Sequence, residues 1–200
     1  MTISSVREQS LESLDLGALS VLKKTEAAMT EGYFHYAHAL ALTLVNRYPN
    51  VPGLRLLLRQ AVVGQKAAAT PAVFVYLRAS FSTVVYAFSG RLFNYLNSLE
   101  KILCSSPDSR LVHKLFASAA QKGELWQTAA LSYESLLVWF PMESHFAIQL
   151  AQCYLKLGRI DEAQCLIRKA LELSPKNTFA EELLKQASVA ETLNHTDWKG

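Results

Sequence analysis

Three groups of residues in this chain have side chains that could do chemistry: paired histidines, thiols and clustered cations. His35 and His38 stand three residues apart, a spacing that would put two imidazoles on one face of a helix, within reach of a shared metal. Two histidines alone make a poor metal site, so they read as polar residues on a helix flank and no metal is expected. Cys104, Cys153 and Cys165 are odd in number and widely spaced. Buried thiols behave as small hydrophobes, and a reduced, structural role is expected, with Cys153 and Cys165 on packed helix faces. His113 and His145 fall at helix starts with no evident partner. The sequence contains no Gly-rich phosphate loop, nucleophile elbow or paired-cysteine motif. Neither an enzyme nor a cofactor is expected.

The cations are more informative. Arg110 and Lys114 form an i, i+4 pair near a helix start, with Gln121 further along the same face. His145, Gln149, Gln152 and Lys156 occupy the equivalent face of a later helix. Together they make a mildly basic, amide-rich surface suited to an acidic segment or a terminal carboxylate. The charge is otherwise mixed: 20 basic and 17 acidic side chains leave a formal net charge of +3. With no basic block, no nucleic acid partner is expected.

The elements that must position these residues are helices, and glycine and proline mark their ends. The chain has 200 residues, half of them apolar, with only 8 Gly and 6 Pro. Gly32 to Pro49, Gly90 to Pro107 and Gly158 to Pro175 each span 17 residues, and Gly123 to Pro141 spans 18. Glycine lets a helix end through a left-handed residue, and proline forbids continuation. The closing prolines at 107, 141 and 175 are 34 apart, whereas Pro49 and Pro107 are 58 apart. Between these marks, apolar residues recur at three and four, as in Leu92, Tyr95, Leu96, Leu99, Ile102 and Leu103.

The clearest copy is Ala147–Pro175. Leu150, Ala151 and Tyr154 share a face before Gly158, and Ala163, Ile167 and Ala170 share one before Pro175, with small residues where two helices cross. This stretch resembles a tetratricopeptide repeat, whose pattern is W-x2-L-G-x2-Y, then A-x3-F, then a closing proline in about 34 residues. Ala147 stands where the pattern has Trp, and Ala151 where it often has Gly. The resemblance implies an all-α right-handed superhelix of antiparallel helix pairs. Repeats are expected near 16–49, 72–107, 108–141 and 142–175, with an extra helix at 52–66 and a polar-backed cap at 178–193. Asp108 and the Thr178/Glu181 capping box are expected to open helices. Residues 1–15 read as a polar lead-in and 194–200 as a tail. The N-terminus has no apolar secretory region, so the chain reads as cytoplasmic.

The resemblance also implies a non-enzymatic adaptor or scaffold binding a protein or peptide partner in a concave groove lined by first helices. A full carboxylate clamp is not expected, because the faces around Lys23 and Glu26, and around Leu77 and Phe81, do not extend the Arg110/Lys114 pair. The run AVFVYLRASFSTVVYAFSG, 72–90, is the most apolar in the chain. Leu77, Phe81, Val84 and Phe88 would line its groove side. A helix apolar all round must be covered. The 52–66 helix is the first expected cover, then a second copy of the chain in a homodimer, then a hydrophobic partner segment. Arg78 and the hydroxyls at 80, 82, 83 and 89 argue against membrane insertion. Two further readings stay open: a chaperone holding a client on this repeat, and a self-associating structural subunit.

Overall fold

The computed structural model describes residues 8–64 and 72–196, with ten α-helices and no strand among the described residues. In chain order the helices are α1 Leu16–Thr30, α2 Phe34–Arg47, α3 Pro52–Gly64, α4 Ala72–Ser89 and α5 Leu92–Ser105. They continue as α6 Arg110–Lys122, α7 Trp126–Trp139, α8 Ser144–Lys156, α9 Ile160–Leu173 and α10 Thr178–Thr196. The fold is an all-α helical repeat, as the glycine and proline spacing predicts. Two compact units divide it, residues 1–128 and 129–200, with the boundary inside α7.

In the first unit, Asp15 opens α1 by accepting the Ala18 N–H at 2.6 Å, which satisfies an otherwise orphaned donor. Ala18, Leu22, Thr25 and Ala28 form its buried face, and the Thr25 hydroxyl donates back to the Val21 carbonyl. Ala37 and Ala41 on α2 are fully buried and small. Leu44, Val45, Val51, Leu54 and Leu58 continue this core from α2 into α3. From residue 8 onward the segment before α1 is tied to its neighbours. Gln9 donates to the Asn50 carbonyl, and Leu11 lies over Gly53, where a Cβ would meet it at 2.8 Å. The Glu8 carboxylate accepts the N–H groups of Gln127 and Thr128 at 2.8 and 2.7 Å, capping the start of α7.

Helix ends follow the expected chemistry with one displacement. Gly32, Gly90 and Gly158 have φ of 81°, 62° and 76°, the left-handed conformation glycine adopts without a Cβ penalty. Gly123 does not: its φ is −89°, and Glu124 takes the left-handed place with φ 58°. Counting from Glu124 restores the 17-residue interval to Pro141. Gly123 serves close approach instead, since a Cβ there would lie 2.2 Å from Leu92 Cδ2.

In the second unit, α8 and α9 form an antiparallel pair and α10 packs on α9. Phe146, Leu150, Ala151 and Cys153 are buried on α8, Ala163, Ile167 and Ala170 on α9, and Ala180, Leu183 and Ala187 on α10. Burying a side chain such as Ile167 contributes about 1.5–3 kcal/mol. The cap of α10 is Asn177, whose side-chain oxygen accepts the Ala180 N–H at 3.1 Å, so the capping residue lies one position before Thr178. Likewise Ser109, not Asp108, stands at the N-cap of α6. Phe179 on α10 points outward and is 44 % exposed.

The helix lengths carry a register. Helices α6, α8 and α10 each begin three residues after a closing proline, and α6 and α8 each run for 13 residues. Helix α3 also begins three residues after its proline, Pro49, and also has 13 residues. The 14-residue helices α2, α5, α7 and α9 each end two residues before a closing proline. Helix α4 has 18 residues and follows neither rule.

Candidate interaction surfaces

Helix α4 turns only Val75 and Ala79 inward as buried hydrophobics among its described side chains. Phe74, Leu77, Phe81 and Val84 are 60 %, 62 %, 71 % and 53 % exposed, and Tyr76 and Val85 join them. Leu77, Phe81 and Val84 are therefore open to solvent, as a groove lining requires; the Phe88 side chain lies outside the described residues. Of the first expected cover, the 52–66 helix, the described part is α3, and it is not on this face, while 65 and 66 lie outside the described residues. The α3 residues Leu54 and Leu58 are buried in the core with α1 and α2 instead. Beside the open face, α4 and α5 enclose a shallow cleft of about 100 Å³, lined by Phe81, Val85, Tyr86, Asn94, Tyr95 and Ser98. Its floor is a parallel stack of Tyr86 on Tyr95, with centroids 4.6 Å apart, and the Tyr95 hydroxyl is 3.0 Å from the Thr83 hydroxyl. The stack gives the cleft a flat, rigid apolar base.

The cationic residues are distributed over two helices. In the first unit Arg110 and Lys114 are exposed on α6, with Gln121 half-buried. In the second, His145 and Lys156 are exposed on α8, with Gln149 and Gln152 half-buried. The other imidazoles do different things. His35 is exposed and His38 half-buried on α2, and burial, then the neighbouring His35, lowers the His38 pKa. His113 is not isolated: it is 2 % exposed and donates from Nε2 to the Pro107 carbonyl at 2.8 Å. Burial first, and then the Arg59 charge, push its pKa down to about 4, so it is neutral at pH 7. Among the described residues no group of three or more His, Cys, Asp or Glu is placed to hold a metal ion.

A buried ionic cluster in the first unit escaped the sequence reading. Arg55 is fully buried on α3 and Glu100 is 1 % exposed on α5. Arg59 Nε donates to Glu100 Oε1 at 2.7 Å, and Arg55 Nη1 donates to Glu100 Oε2 at 3.3 Å. Arg55 Nη2 also donates to Asn97 Oδ1 at 2.8 Å and to the Pro49 carbonyl at 3.1 Å. Both guanidinium groups lie over the Phe116 ring of α6, at 5.5 and 4.9 Å. Burial opposes the Glu100 charge, and the Arg59 and Arg55 charges more than offset it, holding the carboxyl below its ordinary range. The cluster ties α3 to α5 and α6 through charge.

The thiols differ from one another. Cys153 is buried, Cys104 is half-buried, and Cys165 is exposed rather than packed. Burial, then the Glu100 charge, push the Cys104 thiol up to about 12, which suppresses its reactive thiolate. In the folded protein one thiol, Cys165, is expected to react with a disulfide reagent such as DTNB at pH 8. The other two should react only on unfolding, and Cys165→Ser should remove the fast phase. A fast phase that survives Cys165→Ser would contradict this placement.

No protein-family model and no curated protein matches this chain. Solved structures do. The first tetratricopeptide domain of Spaghetti (RPAP3), bound to the HSP90 peptide SRMEEVD, is similar over 59 % of this chain and 93 % of its own, with 17 % identity and a TM-score of 0.51. The first tetratricopeptide domain of human RPAP3 matches over 61 % and 95 %, with 16 % identity and a TM-score of 0.52. The Sgt2 tetratricopeptide domain from Aspergillus fumigatus matches over 68 % and 87 %, with 14 % identity and a TM-score of 0.51. At this identity the likeness is one of fold, and it agrees with the helix register: the chain has a tetratricopeptide-like helical repeat fold.

Proposed function

We propose that this chain is a non-enzymatic protein-interaction module that takes a partner segment on the apolar face of α4. The observation that carries this reading is the exposure of Phe74, Leu77, Phe81 and Val84 on one helix. Contiguous apolar surface rimmed by hydroxyls is a feature of docking sites rather than of inert surface. No described helix is long and apolar enough to cross a membrane, so lipid spanning gives no competing account of this face. The test compares the whole chain with Phe81→Asp as paired baits in the source cells, read by quantitative mass spectrometry. Partners recovered by the whole chain are expected to fall at least about tenfold with Phe81→Asp, while the helical circular dichroism is unchanged. Equal recovery by both baits would defeat the reading.

A second reading rests on Arg110 and Lys114, exposed one turn apart on α6. The RPAP3 domain of similar fold was solved with SRMEEVD, a peptide holding three carboxylate side chains. A basic pair, opposite in sign, would suit an acidic segment, with His145, Gln149, Gln152 and Lys156 presenting a like surface on α8. Arg110→Glu with Lys114→Glu separates the two readings, since it should leave capture by α4 intact. A client-holding chaperone remains a use of the same α4 face.

A further inference from the structure

We propose that α4 is an insertion between the two helices of the second repeat, and that its face holds an amphipathic helix whose apolar stripe is flanked by carboxylates. This rests on the reading of the α4 face as a partner surface.

The register supports the insertion. Helix α3 runs from three to fifteen residues past Pro49, as α6 does from Pro107 and α8 from Pro141. A first helix placed there calls for a left-handed turn at position 66, matching Glu124 and Gly158 in their repeats. The next left-handed residue described is Gly90, 24 residues later, followed by α5. The same 24 residues separate the 58-residue interval between Pro49 and Pro107 from the regular 34. Gly90–Arg91–Leu92 also repeats the turn chemistry of Gly158–Arg159–Ile160. In addition, α3 meets α5 and α6 through the charged cluster of Arg55, Arg59, Glu100 and Phe116, while α4 lies on α5 through Thr83, Tyr86 and Tyr95. Residues 66–89 are the 24 by which this interval exceeds the 34-residue register.

The face itself indicates the occupant. Phe74, Leu77, Phe81 and Val84 are spaced three, four and three, the seam of a left-handed helix pair. A partner helix therefore lies along α4, crossing at about 20°. The cleft beside Phe81 and Val85 can take one further side chain of that partner on its stacked-tyrosine floor. Residues 72–91 contain Arg78 and Arg91 and no Asp or Glu. Arg78 is exposed beside the seam, so carboxylates flanking the partner's stripe would complement it. A second copy would bring the same Arg78 and no carboxylate from its α4, which favours a different, acid-flanked helix.

The test uses two fluorescein-labelled peptides about three heptads long, with Leu at a and d and either Glu or Lys at e and g. Binding to the whole chain is read by anisotropy. The Glu peptide is expected to bind at least about fivefold more tightly than the Lys peptide, the scale of exposed ion pairs of either sign. Arg78→Glu should abolish or invert that preference, and Phe81→Asp should remove binding of both with circular dichroism unchanged. Equal affinities would overturn the acid-flanked partner and leave the apolar docking face standing. If neither peptide binds and Phe81→Asp converts a dimer to a monomer in sedimentation velocity, the occupant is a second copy and the proposal fails. If neither binds and the chain is monomeric throughout, both the proposal and the reading beneath it fail.

Discussion

Replacing Glu100 with alanine is expected to destabilise the protein by about 3–5 kcal/mol, because it leaves two guanidinium groups facing each other without their shared counter-ion. Arg55 is fully buried, and burial already lowers its pKa, so it has no route to water. A loss of this size is a large share of an ordinary stability of roughly 5–15 kcal/mol. It should lower the midpoint of thermal unfolding by about 6–20 °C for a chain of this length. Replacing the whole cluster at once, with Arg55→Met, Arg59→Met and Glu100→Leu, should cost far less, since desolvated charge pairs gain little over apolar packing. The pH dependence has a definite sign. The Glu100 carboxyl is depressed in the folded protein, so its stabilisation is complete above the ordinary carboxylate pKa and is lost as pH falls through the folded value. The alanine variant should therefore show a shallower acid limb in urea unfolding than the parent chain. A cost below about 1 kcal/mol, with an unchanged acid limb, would mean that the cluster is solvated.

Excising residues 66–89, so that Gln65 joins Gly90, is expected to leave a folded helical protein without the apolar face proposed to bind a partner. The junction places Gly90, already left-handed, two residues beyond the end of α3 and two before α5. The stack keeps the Arg55, Arg59 and Glu100 cluster and the α2–α3 core. It loses the buried contacts of Val75 and Ala79, the Thr83–Tyr95 hydrogen bond and the Tyr86–Tyr95 stack, together about 3–4 kcal/mol. Shortening the connection by 24 residues offsets a small part of that through loop entropy. Collapse of the fold on excision would show instead that 72–107 is the second repeat and α3 the extra helix.

Much of the fold was legible because its punctuation is local. Gly32, Gly90 and Gly158 relieve a left-handed backbone, and Pro49, Pro107, Pro141 and Pro175 stop helices wherever they fall, so spacing alone locates the turns. The Gly123 turn was displaced because close packing against Leu92 needed the glycine, and Glu124 tolerates the strained position at a cost of about 1 kcal/mol. The buried cluster was harder to see, because Arg55 and Glu100 are 45 residues apart and meet only through packing. A signal existed: Arg55 is in phase with Leu58 and Val62, and Glu100 with Leu96 and Leu103, so opposite charges sit inside two apolar stripes. Cys165 shows the opposite limit, since a helix stripe one residue wide of the core leaves a hydrophobe in water. For the α4 face, composition revealed its apolarity, whereas its exposure depends on where α3 packs.

Helix α4 is proposed to be a docking element that the stack does not need. The most direct measurement is anisotropy of the Glu-flanked peptide with the whole chain and with the chain lacking residues 66–89, each checked by thermal unfolding. Saturable binding by the whole chain, none by the excised chain, and cooperative unfolding of both are expected. Binding retained after excision, or an excised chain with no cooperative transition, would contradict the proposal.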